Sequence, residues 1–584
     1  MRRSPPRAPR STSSRPSCRS GRKSTRRMAR CGSRSTRNDE ADRAATTPGP
    51  VAGSRLRARR TLPLHSRVVS SPGDAGPRAR GSRATRSPAP PGDAVPPRVI
   101  LPVTATSPSA LVLRLQEICG DDNVFWRAED LLVWEYDAGF DRHPPSAVAV
   151  PGSADEVAAV VKAAHDAGAA IVPRGAGTGL SGGTIACAGA IVVSTVRLRR
   201  IVAIDAAARV AVVEPGVPNL TVSVAAREAG LFFAPDPASQ RISTIGGNVG
   251  TNAGGPHALR YGSMVNHVLG IEMVLANGEI ARFGGTAADL PGYDCVPLIV
   301  GSEGTLGIIT KIWLRLLPLP EDVRTFVAIF PDIDRGARAA SAIIASGVVP
   351  AAMEMLDNVT IGALNAAFDV HLPANAGSLL LVEIEGLREE TEEWAVSIDR
   401  VLRKNGATDV RSAATQAERE LLWKARKLGY AALARIKPNN YLHDAVVPRT
   451  RMPEVLREVN AIAERYGYVI ANMFHIGDGN LHPVLLFDAR TEPIDRVMEA
   501  SAEILKVAID AGGALTGEHG VGLEKNHFML WVFSAEDLEA MHRARDAFDP
   551  DGTMNPGKIF PGGDACADIP TERTKRALAE GMWV

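Results

Sequence analysis

The 584-residue chain is 45% hydrophobic and too long for one domain, so two or more domains with ample core are expected. Six cysteines without a CxxC pair argue against a disulfide framework or an iron–sulfur cluster, and no apolar run of about 18 residues or signal-peptide pattern occurs. The net charge of +2 conceals an asymmetry: residues 1–100 hold 24 basic against five acidic side chains, and the rest hold 43 against 60.

Residues 1–105 are dense in Arg, Ser and Pro and lack apolar periodicity, so burial there cannot offset ordering entropy and a disordered extension is expected. Three readings stay open. A nucleic-acid arm would want aromatic residues, and there are almost none. A transit peptide suits the absence of acids from the first 38 residues but not the many prolines. A start codon assigned too far upstream is the third. None bears on the folded part, for which no nucleic-acid partner and no transmembrane segment are expected. The expected location is the cytoplasm, or a membrane surface reached through an electron acceptor.

Order is expected to begin with the amphipathic helix "SALVLRLQEIC". Up to residue 317, short β-rich runs ("SAVAVPGS", "AAIVPRG", "GAIVVSTVRL", "ARVAVVEPG") alternate with helical ones such as "DEVAAVVKAAHDAG". Residues 318–560 bring longer helices ("AERELLWKARKLGYAALARI", "EPIDRVMEASAEILKVAIDAGG") between the strands "TFVAIF", "SLLLVEIEG" and "GYVIANMF". This predicts an α+β fold of two domains, 106–317 and 318–560, with a tail at 561–584.

Three glycine clusters punctuate the first region. "AAIVPRGAGTGLSGG" (169–183) is a strand entering a loop whose bare backbone N–H groups suit a pyrophosphate. Gly177, Gly179 and Gly182 satisfy G-x-G-x-x-G, but a strand-like run follows where a Rossmann unit needs a helix. "STIGGNVGTNAGGPHALRYGS" (243–263) and "GSEGTLGIIT" (301–310) also let backbone approach a ligand closely. One such cluster is ordinarily a turn; three in one stretch are not so easily dismissed.

The second region carries "NMFHIGDGNLHP" (472–483), with two histidines seven apart around a tight turn, and then "TGEHGVG", with Glu518 and His519 side by side. Metal binding is one reading and satisfied structural histidines the other.

The glycine clusters, in order and spacing, resemble the FAD-binding domain of the vanillyl-alcohol oxidase and para-cresol methylhydroxylase (PCMH) superfamily. "FHIGDGNLHP", "GEHGVG" and "MNPGKIF" resemble its glycolate oxidase flavoprotein and D-lactate and D-2-hydroxyglutarate dehydrogenase branch, over essentially all of 107–560. The resemblance implies a PCMH-type FAD-binding domain, then an α+β cap domain whose C-terminal "MNPGKIF" returns to the first. It implies that Pro173, Arg174, Gly175, Ala176, Gly177 and Thr178 hold the cofactor's pyrophosphate side. Ser243, Thr244, Gly246, Gly247, Asn248, Asn252, Gly254 and Tyr261, with Glu303, Gly304, Gly307 and Ile308, complete the site. No His or Cys lies between Arg174 and Gly183, which favours non-covalent FAD.

By the same resemblance, His475, His482 and Glu518 bind a divalent ion, zinc above others, and His519 is the base. Residue chemistry is compatible: two imidazoles and a carboxylate leave coordination positions that a 2-hydroxy acid can fill. Arg426 is expected at the substrate carboxylate, with Asn480 and His443 also near substrate; the alternative for Arg426 is a solvated basic helix face shared with Lys424 and Lys427. Members acting on 2-hydroxyglutarate carry Lys and Asn where this chain has Leu442 and Val484, which favours lactate or glycolate. The expected function is FAD-dependent oxidation of a small D-2-hydroxy acid, with electrons leaving to a quinone, a cytochrome, a partner subunit or oxygen. The alternatives are an oxidase of the same fold for another alcohol, a metal hydrolase, for which the glycine clusters have no purpose, and a basic-tailed binding protein with a degenerate flavin domain.

Overall fold

Helix Ala154–Asp166 shows how local sequence builds the first layer. Ser153 caps it by accepting from the Glu156 N–H, and Val157, Val160, Val161 and Ala164 recur along one buried stripe. Burying each valine is worth roughly 1.5–3 kcal/mol, and losing the cap would cost about 1 kcal/mol. The stripe packs on a four-stranded sheet in which Ala147–Ala149, Ile191–Ser194 and Ile171–Arg174 run parallel, with Val124–Phe125 antiparallel at the edge. Both faces of this sheet are covered, which is why its strands read as unbroken apolar runs.

The structure, a computed structural model, describes residues 107–561 apart from 288–290, 369 and 371. The expectations for residues 1–105 and for the tail beyond 561 therefore lie outside the described residues. A second, antiparallel sheet takes Ile201–Asp205, Val210–Val213, Ile308–Arg315, Val268–Val274 and Ile280–Gly284 in that order. One face buries Val213, Ile271, Ile312 and Leu314 against helices Asn219–Ala226 and Ile245–Thr251.

Beyond the short pair Leu317–Pro318 with Leu231–Phe232, the chain enters a larger antiparallel sheet. Its centre runs Asp322–Phe330, Ser378–Gly386, Ala352–Asp357, Val469–His475. Helices Ile333–Ala345, Arg388–Lys404, Met452–Tyr466 and Ile494–Asp510 cover one face, and Asn358–Ala367 and Gln416–Leu433 the other. These strands are mainly apolar but bury several polar side chains, among them Glu354, Glu383 and Glu385. Buried carboxylates in a strand need partners.

Glu383 and Glu385 meet the second glycine cluster. His257 lies with Nδ1 2.9 Å from Asp236 and Nε2 3.4 Å from Glu383, and the Tyr261 hydroxyl donates to Glu385. Burial pushes the His257 imidazole down, but the two carboxylates more than offset that and hold it well above its ordinary value. The chain's last described stretch runs back along the first sheet: the Ile171 N–H donates to the Thr553 carbonyl at 2.9 Å and the Asn555 N–H to Ile171 at 2.7 Å.

Candidate active site

Strand Ile171–Arg174 delivers the chain into the first glycine loop, and Arg174 folds back to brace it. Its guanidinium donates to the Thr184 hydroxyl at 3.1 Å and the Tyr136 carbonyl at 2.7 Å. Gly177 has φ +70°, and a Cβ there would strike that guanidinium. At Gly175 a Cβ would stand 2.5 Å from the Thr244 hydroxyl, and at Gly304 one would stand 2.9 Å from Pro173. The three clusters thus close on one another only because side chains are missing.

Between them lies a cavity of about 260 Å³ with nine glycines among its lining residues, so parts of its wall are bare backbone. The Ser243 hydroxyl and Asp137 Oδ2 are buried at this wall with no protein partner. A glycine cradle with orphaned polar atoms fits a large polar cofactor carrying phosphates. The second cluster contains a feature not expected from sequence: residues Ile245–Thr251 are helical, capped by the Thr244 hydroxyl accepting from the Gly247 N–H at 3.3 Å.

The far end of the same cavity is formed by Glu518 and His519. His475 ends strand Val469–His475, and the turn at 476–479 pairs it with Asn480, which brings His482 alongside. Nε2 of His475 and of His482 lie 3.1 and 3.2 Å from Glu518 Oε1, with ring planes 86° apart. Each ring's other nitrogen is occupied. His475 Nδ1 is 2.6 Å from Glu354 Oε1, its cross-strand neighbour, and His482 Nδ1 is 3.1 Å from the His443 carbonyl. Burial pushes the Glu518 carboxyl up, but the two imidazoles outweigh it and hold the group well below the usual range.

Asp444 organises the loop that carries Glu518. It accepts from the Thr516 hydroxyl at 2.6 Å and from the N–H groups of Gly517 and His519 at 3.0 Å each, with Lys525 Nζ at 3.4 Å. Burial raises the Asp444 carboxyl, yet His519, Lys525 and His482 together hold it far below its ordinary value. His519 stacks on His482 at 5.1 Å with rings 14° apart, and its Nε2 stands 4.0 Å from Glu518 Oε1. Burial lowers the His519 imidazole to about 4.

The expected cofactor residues all line the cavity except Asn252, Gly254 and Tyr261. Asn252 instead accepts from Ser263 and from the Val265 N–H at 3.0 Å, tying its own segment. Tyr261 turns to Glu385, and Gly254 lies beside Glu518, whose Oε2 is 3.4 Å from its Cβ position. Arg426 does not reach the cavity either. Its Nε donates to Glu354 at 2.6 Å, because a guanidinium this buried needs a carboxylate and the strand supplies one. His443 faces a separate small pocket with Ser501 and Glu524, and its Nδ1 donates to the Pro483 carbonyl at 2.9 Å. Asn480 packs beneath Gly517. Sequence reasoning missed Glu354, Asp444 and Asp137, which are isolated acids in unremarkable local contexts.

Residues 145–284 match the family described as "FAD binding domain", and residues 319–559 match "FAD linked oxidases, C-terminal domain". The chain is 38% identical to the glycolate oxidase subunit GlcD of Escherichia coli K12 over 464 residues, covering 79% of this chain and 93% of that one. The chain belongs to the FAD-linked oxidases. This FAD-linked oxidase is also 40% identical over 450 residues to the GlcD of Bacillus subtilis, covering 76% of this chain and 96% of that one. It is 34% identical over 430 residues to the D-lactate dehydrogenase of Archaeoglobus fulgidus, with 72% and 94% covered. Substrate-bound p-cresol methylhydroxylase shares the fold at a TM-score of 0.64 and 18% identity, over 77% of this oxidase and 96% of that chain. The α+β, PCMH-type architecture and the dependence on FAD follow.

Proposed function

We propose that this FAD-linked oxidase converts a small D-2-hydroxy acid, glycolate or D-lactate, to the 2-oxo acid. One observation carries the reading: Glu518 and His519 end the same cavity that the nine glycines help to line. In this reading a proton-handling group stands where substrate meets cofactor. The relatives named glycolate oxidase and D-lactate dehydrogenase support the substrate class.

FAD, held without a covalent link since no His or Cys lies in 174–183, supplies a two-electron acceptor when bound. A divalent ion, zinc foremost, would sit on His475, His482 and Glu518 and would polarise substrate oxygens as a Lewis acid. The donor set fits: both Nε2 atoms converge on one carboxylate oxygen, and both Nδ1 atoms are fixed by a carboxylate or a carbonyl behind them. His519, stacked on His482 and reaching the cavity, takes the substrate hydroxyl proton. Asp444 fixes the backbone of residues 516–519 so that this ring is held in place. Arg426 contributes by holding Glu354 ionised against His475, and His443 through its carbonyl on His482.

The substrate is a monocarboxylate in this reading. Leu442 and Val484 are direct cross-strand partners, and both pack into an apolar cluster rather than offering a cation or amide to a second carboxylate. The test is anaerobic flavin bleaching with a panel of D- and L-2-hydroxy acids: glycolate or D-lactate should bleach the flavin and D-2-hydroxyglutarate should not. Absence of bleaching with every member would end the proposal.

A further inference from the structure

Glu303 lies in the third glycine cluster at the cavity wall, and both oxygens of its carboxylate are engaged by the protein's own backbone. Oε1 accepts from the Val521 N–H at 2.7 Å and Oε2 from the Gly522 N–H at 2.8 Å, two and three residues beyond His519. Its backbone is engaged elsewhere. The Glu303 N–H donates to the Gly250 carbonyl of the second cluster at 2.8 Å, and its carbonyl accepts from Asn555 Nδ2 at 2.6 Å. Asn555 Nδ2 in turn reaches the Gly183 carbonyl of the first loop at 2.9 Å. Glu303 is therefore the point where all three clusters, the returning C-terminal segment and the His519 loop meet. It holds φ +52°, and Asn555, which bonds to its carbonyl, also has positive φ, at +41°. Such strain persists only where the surroundings over-determine it.

We propose that Glu303 is a positioning residue: its carboxylate registers the loop of Glu518 and His519 against the glycine cradle, setting where the base stands relative to the cofactor site. The inference rests on the hydroxy-acid reading above. The loop has a second tether, the Ser181 hydroxyl on the His519 carbonyl at 3.0 Å, so losing Glu303 shifts the loop rather than releasing it. Because the contacts to Gly250 and Asn555 use only the backbone of Glu303, a side-chain change of similar size leaves those two ties in place. That makes the two roles separable.

E303Q keeps the shape but offers one acceptor to two N–H groups, leaving one buried donor unpaired. E303D keeps the charge one carbon shorter. Both variants should retain flavin at the parent's stoichiometry and be bleached by dithionite at the parent's rate. With the hydroxy acid that bleaches the parent, kcat per bound flavin should fall by on the order of 10- to 100-fold, with KM changed less than about threefold. E303D should recover part of the loss. Loss of flavin from both variants, or a per-flavin kcat within twofold of the parent in either, overturns the proposal. A parent that no hydroxy acid bleaches refutes the substrate reading instead, and the dithionite control keeps that failure distinct.

Discussion

His475, His482 and His519 stand together, and the roles proposed for them differ, so substitution should separate them. His475→Ala and His482→Ala should lose the proposed divalent ion, measured by elemental analysis, and should show raised KM together with lowered turnover. His519→Ala should keep ion and flavin and lose roughly 10²–10⁴-fold in turnover, since it lacks only the base. Active parent enzyme free of any ion, or indifferent to chelators, would mean that the histidine pair orients substrate directly. His257 gives a second test, in pH. Its folded value is raised well above 6.5 by Asp236 and Glu383, so the stability it contributes is full below about 6.5 and is lost as pH rises through the folded value. Glu383, held below 4.5, contributes above that value and loses its contribution in acid. The gap in unfolding free energy between the parent and His257→Gln should therefore be widest in mildly acidic buffer and shrink toward alkaline pH. A gap that stays constant to pH 10 contradicts the ion-pair account. Which residues were legible follows from the same chemistry. The histidines and Glu518 announce themselves because they cluster within short Gly-flanked segments. Glu354 could not be read, because its partner His475 is 121 positions away and only strand pairing makes them neighbours. Arg426 was legible as a special arginine, but the carboxylate that claims it was not.

Elements were read more reliably than their meetings. Helices Ala154–Asp166, Gln416–Leu433 and Ile494–Asp510 fall where apolar periodicity places them, and the strand after the first glycine loop excludes a Rossmann turn as expected. The short helix Ile245–Thr251 escaped because three glycines in seven residues lower helix propensity by about 1 kcal/mol each, and only burial against Pro215 and its neighbours restores it. The glycine loops make a prediction at this scale. Gly177→Val should abolish flavin binding for two reasons: a β-branched residue at φ +70° is strained by about 1–2 kcal/mol, and its Cβ displaces the Arg174 guanidinium that braces the loop. The latter reason differs from the one that sequence suggests, namely obstruction of the pyrophosphate. The check is flavin absorbance per mole of folded protein, and full occupancy in Gly177→Val would refute the cradle assignment.

In the molecule as a whole, truncation from either end should affect the cofactor site differently. The composition of residues 1–100 cannot build a core, so a chain begun near residue 103 should fold and keep its flavin. A chain ended at residue 551 should not, because it lacks Asn555 and Lys558, both fully buried, with the Lys558 ammonium donating to the Ile185 carbonyl at 2.8 Å. Spectra of the two truncations decide this, and flavin retained by the 551 truncation would contradict it.

That return of the C-terminal segment also has a consequence in time. Asn555 bonds to a carbonyl 252 positions earlier in the chain. At 5–20 residues per second, a ribosome that has just placed Glu303 needs roughly 13–50 s more to supply the residue that locks it. For most of that interval every glycine of the cradle has been made, while Asn555, which ties the first loop to Glu303, has not. A chain stalled short of Asn555 is accordingly expected to be nearly full length yet to lack the tie between Glu303 and the first glycine loop, and so to hold flavin poorly.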